Sequence, residues 1–265
     1  MFNLIKAQNY QLKRDNFMIY VILFSLAYTA LITYFGIDEG IKMGEMNGGL
    51  FLASNGEAYS FLYLFPVLGF TSRICGWDFN DKTINYEVLA GHKRSDIFLS
   101  RLLVSFLWVF IGALVMTILP VGVITLIYGW GVNMSFGAAL ARFALCFLVL
   151  LRLTCGFICM TFLVRNCFIT LIFGYLLAEI EMIVAMMVNE FSKTIKITWQ
   201  LATGNLLALM DFSNYELGYV DGEDVVHFIT DMEPSLLIGT IVCSLVLSAV
   251  YLLLGYTVFR RSDIR

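Results

Sequence analysis

Charge is scarce in this sequence, and so are proline and histidine. Charged residues make up 14% of the chain, against about 25% in an average soluble domain. Three prolines and two histidines occur in 265 residues, too little histidine for a Cys/His metal site. The six cysteines (Cys75, Cys146, Cys155, Cys159, Cys167, Cys243) lie in or beside apolar runs at no zinc-ligand spacing. They read as small buried apolar residues, and no metal is expected. Nowhere does Gly-Lys-Ser/Thr occur, so the chain carries no P-loop to cradle a nucleotide phosphate. Neither His92 nor His227 falls in an apolar run, and no Ser/His/Asp set stands out. Hydrolytic chemistry inside a membrane is therefore disfavoured, and no catalytic residue is assigned. There is no fixed-period repeat, which weighs against an inverted-repeat carrier.

What is present is apolar. Hydrophobic residues reach 60% and aromatics 15%, more than a soluble fold of this length can bury, so the chain reads as an all-α polytopic membrane protein. Lys6, Lys13 and Arg14 precede an apolar run that ends in Tyr34-Phe35-Gly36 without a small-residue cleavage site, the mark of a retained anchor rather than a signal peptide. Residues 1–16 place Phe2, Ile5, Asn9 and Leu12 on one face, predicting an interfacial helix. Six spans follow at about 17–36, 58–76, 97–120, 138–164, 167–188 and 235–259. Pro66 is expected to kink the second and Pro120 to end the third. Arg165-Asn166 makes a tight turn between the fourth and fifth. The whole chain, 1–265, reads as one transmembrane domain.

Six spans put both termini on one side, and charge selects which. The termini, the 73–101 region and Arg165 carry twelve Lys/Arg; the opposite segments, 37–57 and 189–234, carry three Lys and twelve acids. By the positive-inside rule the termini are cytoplasmic.

The most informative stretch is Trp77 to Arg101, a polar island between two apolar runs. Asp81 and Thr83 are helix starters; Ile84, Val88 and Leu89 give a short apolar face; Gly91 is a C-terminal stop; Ser95-Asp96 caps the helix that follows. A short, positively flanked helix on the cytoplasmic side invites a docking partner. A second set of interest is the charge buried in spans: Arg142, Arg152, Glu179 and Glu181. Such residues are costly in hydrocarbon and face a bundle interior or water. Counted from the Arg165 turn, Arg152 and Glu179 both stand about 20 Å above the inner face, which predicts an Arg152–Glu179 ion pair, either a structural clamp or the lining of a path. Arg142 and Glu181 lie nearer the outer face, where a water-filled vestibule would hydrate them. In the external segment, Ile195, Ile197, Trp199 and Leu201 alternate weakly. Leu206, Leu207, Leu209, Met210 and Phe212 then form a cluster too short to span, suited to a re-entrant or interfacial piece before an acidic tip at Asp221, Glu223 and Asp224.

The loop WDFNDKTINYEVLAGHKRSDIFLSR, the RNCFITLI turn and the ending FRRSDIR together resemble the membrane subunits of type-2 ABC exporters. The resemblance covers nearly the whole chain through its six spans, internal termini and N-terminal interfacial helix. It implies that Thr83, Ile84, Asn85, Tyr86, Glu87, Val88, Leu89 and Ala90 form a coupling helix seated in a separate ATP-binding subunit. Asp78, Asp81, Lys82, Gly91, Arg94 and Arg101 would support that loop, and 77–96 would be the coupling loop. It further implies two permease subunits, identical or related, and two ATPase subunits that bind ATP and magnesium. This chain itself would hold no cofactor and take no nucleic acid. A bacterial plasma-membrane location and an amphipathic peptide substrate follow from the compact branch of that family. The sequence lacks the aromatic belt of polysaccharide exporters. The competing readings are export of another amphiphile such as a drug or lipid, a non-transporting sensor or scaffold, and an ion-coupled carrier using Arg152 with Glu179 or Glu181.

Overall fold

The computed structural model describes residues 1–42, 46–191, 200–212, 214–220 and 223–261. It is an all-α polytopic membrane protein. Among the described residues, five helices are long and apolar enough to cross a bilayer: Asn16–Asp38, Arg94–Tyr128, Phe136–Val164, Cys167–Val188 and Pro234–Arg261. The expected second span is not among them, because it is not one helix. It is a relay: α3 (Gly48–Leu62), α4 (Leu64–Thr71), a π-helical segment (Ser72–Gly76) and α5 (Trp77–Asn80). Pro66 has no N–H to offer the Leu62 carbonyl, so α3 ends there and α4 starts two residues before the proline. The π-helical segment inserts a wider turn immediately before the polar stretch, a geometry common where a helix is adapted to a special contact.

Several boundaries differ from the sequence reading. The segment 37–57, expected as an external loop, is mostly helix. α2 runs Asn16–Lys42, and α3 begins at Gly48 under an Asn47 cap whose Oδ1 accepts from Leu50 N at 2.8 Å. Gly48 and Gly49 are buried against the 129–130 turn, donating to the Gly129 and Trp130 carbonyls at 2.9 Å each. Their lack of side chains serves close packing, which from sequence looks like loop composition. Pro120 does not end the third span: α7 continues unbroken over Arg94–Tyr128, 35 residues. One absent backbone bond is tolerated in a long membrane helix in which Pro120 itself is buried. α7 also starts earlier than expected, at Arg94 with Lys93 as its N-cap, so Ser95 and Asp96 sit in its first turn instead of capping it.

The N-terminal helix α1 (Phe2–Lys13) forms as expected but presents a different face. Leu4, Gln8 and Leu12 are buried at helical spacing, and Phe2 is exposed. Asn9 still points inward, accepting from Trp108 Nε1 of α7 at 2.8 Å. The rest of the bundle comprises α8 (Phe136–Val164), α9 (Cys167–Phe191), α10 (Ala202–Met210) and α11 (Pro234–Arg261). Between α8 and α9, Arg165 adopts a left-handed φ of 57°. Asn166 Oδ1 caps α9 by accepting from Phe168 N and Ile169 N. α10 lies buried in the bundle against α3, α8 and α9. The expected re-entrant piece is thus a packed helix containing Gly204, while Ile195, Ile197 and Trp199 lie outside the described residues. An antiparallel hairpin, β1 (Tyr215–Val220) with β2 (Glu223–Phe228), follows it. Asp221 of the acidic tip lies outside the described residues, as do the side chains of Glu223 and Asp224.

Candidate functional site

The sequence placed a helix at Thr83–Ala90, and α6 runs Thr83–Leu89 with Ala90 as its C-cap. Two positive-φ residues bound it: Lys82 at 56° and Gly91 at 85°. Gly91 is the expected stop; the left-handed turn at Lys82 lets α5 and α6 fold back on each other. Thr83 does not cap its own helix. Its Oγ1 donates to Asp78 Oδ1 at 3.0 Å, tying the start of α6 to α5.

Arg101 holds this arrangement together. Its side chain is fully buried and makes a knot of three elements. From α7, Nε and Nη2 donate to Asp78 Oδ2 of α5 at 2.9 and 2.6 Å. Nη1 donates to Glu87 Oε2 of α6 at 2.8 Å. A planar guanidinium with donors on two edges suits this geometry; an ammonium could not reach both carboxylates in fixed directions. Beneath α6, Ile84 is 1% exposed and fills the space beside the knot. Phe79, Phe98, Phe162, Tyr256 and Phe259 form an aromatic cushion there, with ring centroids 5.0–6.4 Å apart.

The inward face of α6 is therefore Ile84, Glu87 and Val88. The outward face is Tyr86, 70% exposed, and Leu89, 82% exposed. Glu87, expected among the docking residues, is committed inward to Arg101. Asn85 is half-buried, and Asp81, Lys82 and Ala90 are exposed. Arg94 reaches across to α11, donating to the Phe259 and Arg260 carbonyls at 3.1 and 2.7 Å.

One residue the sequence reading passed over belongs to the same assembly. Arg73 pairs with Asp15 at the α1–α2 junction and lies 4.8 Å over the Trp77 ring. Next to it, a Cβ on Gly76 would stand 2.7 Å from Cys167 Cα. The π-helical segment is thus pressed directly onto the start of α9.

The buried charges of the spans do different work from that expected. Arg152 and Glu179 form no ion pair: Arg152 Nη2 donates to the Gln200 carbonyl, whereas Glu179 sits a helical turn from Tyr175. Glu181 accepts from Thr203 N at 3.1 Å and Thr203 Oγ1 at 2.9 Å. A carboxylate there caps the N-terminus of α10, where the helix dipole favours negative charge. Arg152 and Glu181 therefore grip the same helix end, and both border a largely apolar groove of about 370 Å³ between α8, α9 and α11. Arg142, expected in a water-filled vestibule, is 6% exposed. It donates to the carbonyls of Asp211 at 2.8 Å and Thr230 at 3.2 Å and stacks on Phe212, clipping the external segment to α8.

Neutral polar clips were also missed. Asn47 Nδ2 donates to Asn133 Oδ1 at 2.6 Å, Asn133 Nδ2 to the Val226 carbonyl at 2.8 Å, and Thr240 to Asn205 at 2.9 Å. An asparagine in an otherwise apolar run is the signal that could have found Asn205. Comparison with known proteins finds no matching family model and no matching curated relative.

Proposed function

We propose that this chain is the membrane subunit of an ATP-driven exporter of the type-2 ABC class, with α6 as the helix that docks into a separate ATP-binding subunit. The observation that carries this reading is the division of α6 into two faces. Tyr86 and Leu89 stand out in water while Ile84 and Glu87 anchor the helix to Arg101. Two large exposed apolar side chains on a rigidly held seven-residue helix suit insertion into a partner's cleft. The absence of a P-loop from the sequence fits a division of labour in which the partner binds ATP and magnesium.

In this reading two such chains pair, each with one ATPase. Nucleotide-driven movement of the ATPases displaces α6, and the Arg101 knot passes the displacement to α5 and α7. On the same reading the chain crosses six times with cytoplasmic termini, the α3-to-α5 relay being taken as the crossing that is not a single long helix, and α6 then faces the ATPase. An amphipathic peptide is the proposed cargo, and the plasma membrane the proposed location.

Co-expression with a soluble P-loop ATPase and affinity purification tests the docking. Leu89→Asp and Tyr86→Ala are expected to lower ATPase capture at least about tenfold, since buried aromatic anchors contribute about 2 kcal/mol or more. Thermal stability of the chain is expected to stay within about 0.5 kcal/mol of the parent, as for most exposed substitutions. Undiminished capture by Leu89→Asp, or vectorial transport that needs no nucleotide, would overturn the proposal.

A further inference from the structure

Between α1, the π-helical segment and the α5–α6 turn lies a cavity of about 230 Å³. Its wall includes Gln8 and Gln11 of α1, Arg73, Asp78 of α5, Asp81 just after α5, and Thr83 at the start of α6. The lining is more polar than that of the apolar grooves of the spans, and it reaches α6 at Thr83.

Two observations mark it as a binding site. The first is Gln8. This side chain is 5% exposed, yet neither its Oε1 nor its Nε2 has a hydrogen-bond partner. A buried amide without partners costs about 1–3 kcal/mol per unpaired group. Leucine at this position would complete the apolar row of Leu4 and Leu12 at no such cost. Its terminal torsion is soft, so a small rotation turns donor and acceptor to face an occupant.

The second observation is charge. Of the charged residues in the wall, Arg73 pairs with Asp15, and Asp78 shares Arg101 with Glu87. Asp81 remains at the exposed rim and leaves the cavity with a net negative lining. The complementary ligand combines a cation with peptide-like donor and acceptor groups.

We infer that this cavity receives a basic residue of the docked cytoplasmic partner, its cationic side chain facing Asp81 and its peptide group pairing with the Gln8 amide. The inference rests on the docking of a partner at α6 and names a second contact for it, on α1. The N-terminal helix then reads the partner's position directly, rather than only through α6.

The test uses the purified full chain in detergent or nanodiscs, with N-acetyl-arginine amide as probe and the uncharged N-acetyl-citrulline amide as control. The arginine compound is expected to raise the melting temperature in a saturable way and the citrulline compound to do so at least tenfold more weakly. Gln8→Leu is expected to raise the melting temperature of the free chain and to abolish the response. Asp81→Asn is expected to weaken the response at least fivefold while leaving the free chain's stability unchanged. No response to the probe, or equal responses to both compounds, overturns the inference; so does a lower melting temperature of Gln8→Leu with the response retained. The outcomes separate from those of the docking proposal. ATPase capture that depends on Leu89 but not on Gln8 or Asp81 sinks only the cavity assignment. A Gln8-dependent probe response with no ATPase capture supports the site and sinks the docking.

Discussion

Arg101 is a charge withdrawn completely from water and held by two carboxylates on two other helices. Removing one partner of such a cluster strands the others. Arg101→Ala is expected to cost about 3–5 kcal/mol, read as loss of thermal stability in detergent and reduced folded yield. Arg101→Lys keeps the charge but not the fork, and is expected to recover only part of that loss. The sequence exposed this residue as an arginine just ahead of an apolar run, and exposed Asp78 as an acid just after one. It did not expose the role of Glu87, because a seven-residue helix offers two faces and composition does not say which carboxylate turns in. The same limit explains the span charges. Counting along a helix fixes height in the membrane but not direction around the axis. Arg152 and Glu179 share a height, whereas Arg152 and Glu181 share a target, the N-terminus of α10.

Elements in this protein are seated by small, specific contacts as much as by apolar burial. α10 has nine residues, too few to be stable alone, so its capping carboxylate matters. Glu181→Ala is expected to destabilise the chain by about 1 kcal/mol and Glu181→Gln by less, since the amide oxygen still accepts from Thr203. Where the π-helical segment meets α9 the tolerance is smaller. Gly76→Ala would push backbone against the Cys167 backbone and is expected to cost about 1–3 kcal/mol, visible as a lower melting temperature. Long apolar helices and the punctuated helix α6 were legible because periodicity, glycine and charge all agreed there. α3 was not, because Asn47, Gly48 and Gly49 carry loop composition into a packed helix start. Nor was the hairpin Tyr215–Phe228, whose two short strands lie in a stretch with no long apolar alternation. Pro120 misled for a different reason: proline's local cost was read without the packing that offsets it.

At the scale of the whole molecule, orientation is the property that charge asymmetry predicts and the bundle makes testable. All six native cysteines are buried or half-buried, so introduced thiols should label over a low background. Leu89→Cys is expected to react with a membrane-impermeant maleimide only when the cytoplasmic side is opened. Asn214→Cys, at an exposed position before the hairpin, is expected to react in intact cells. The reverse pattern would invert the topology. Five of the six expected crossings were legible in hydropathy as single long helices, whereas the stretch expected as the second is divided among α3, α4, the π-helical segment and α5. α7 is the longest helix among the described residues. At 35 residues it is about 52 Å long, set in a hydrocarbon layer of about 30 Å. A stiff beam that overhangs its support on both sides acts as a balance arm. A tilt of about 5° around its midpoint moves each end by about 2 Å in opposite directions, given 1.5 Å of rise per residue. The arm carries Arg101 near one tip and abuts the Gly129–Asn133 turn at the other. A force that tilted α7 about its midpoint would therefore move the Arg101 knot and the Gly129–Asn133 turn in opposite directions.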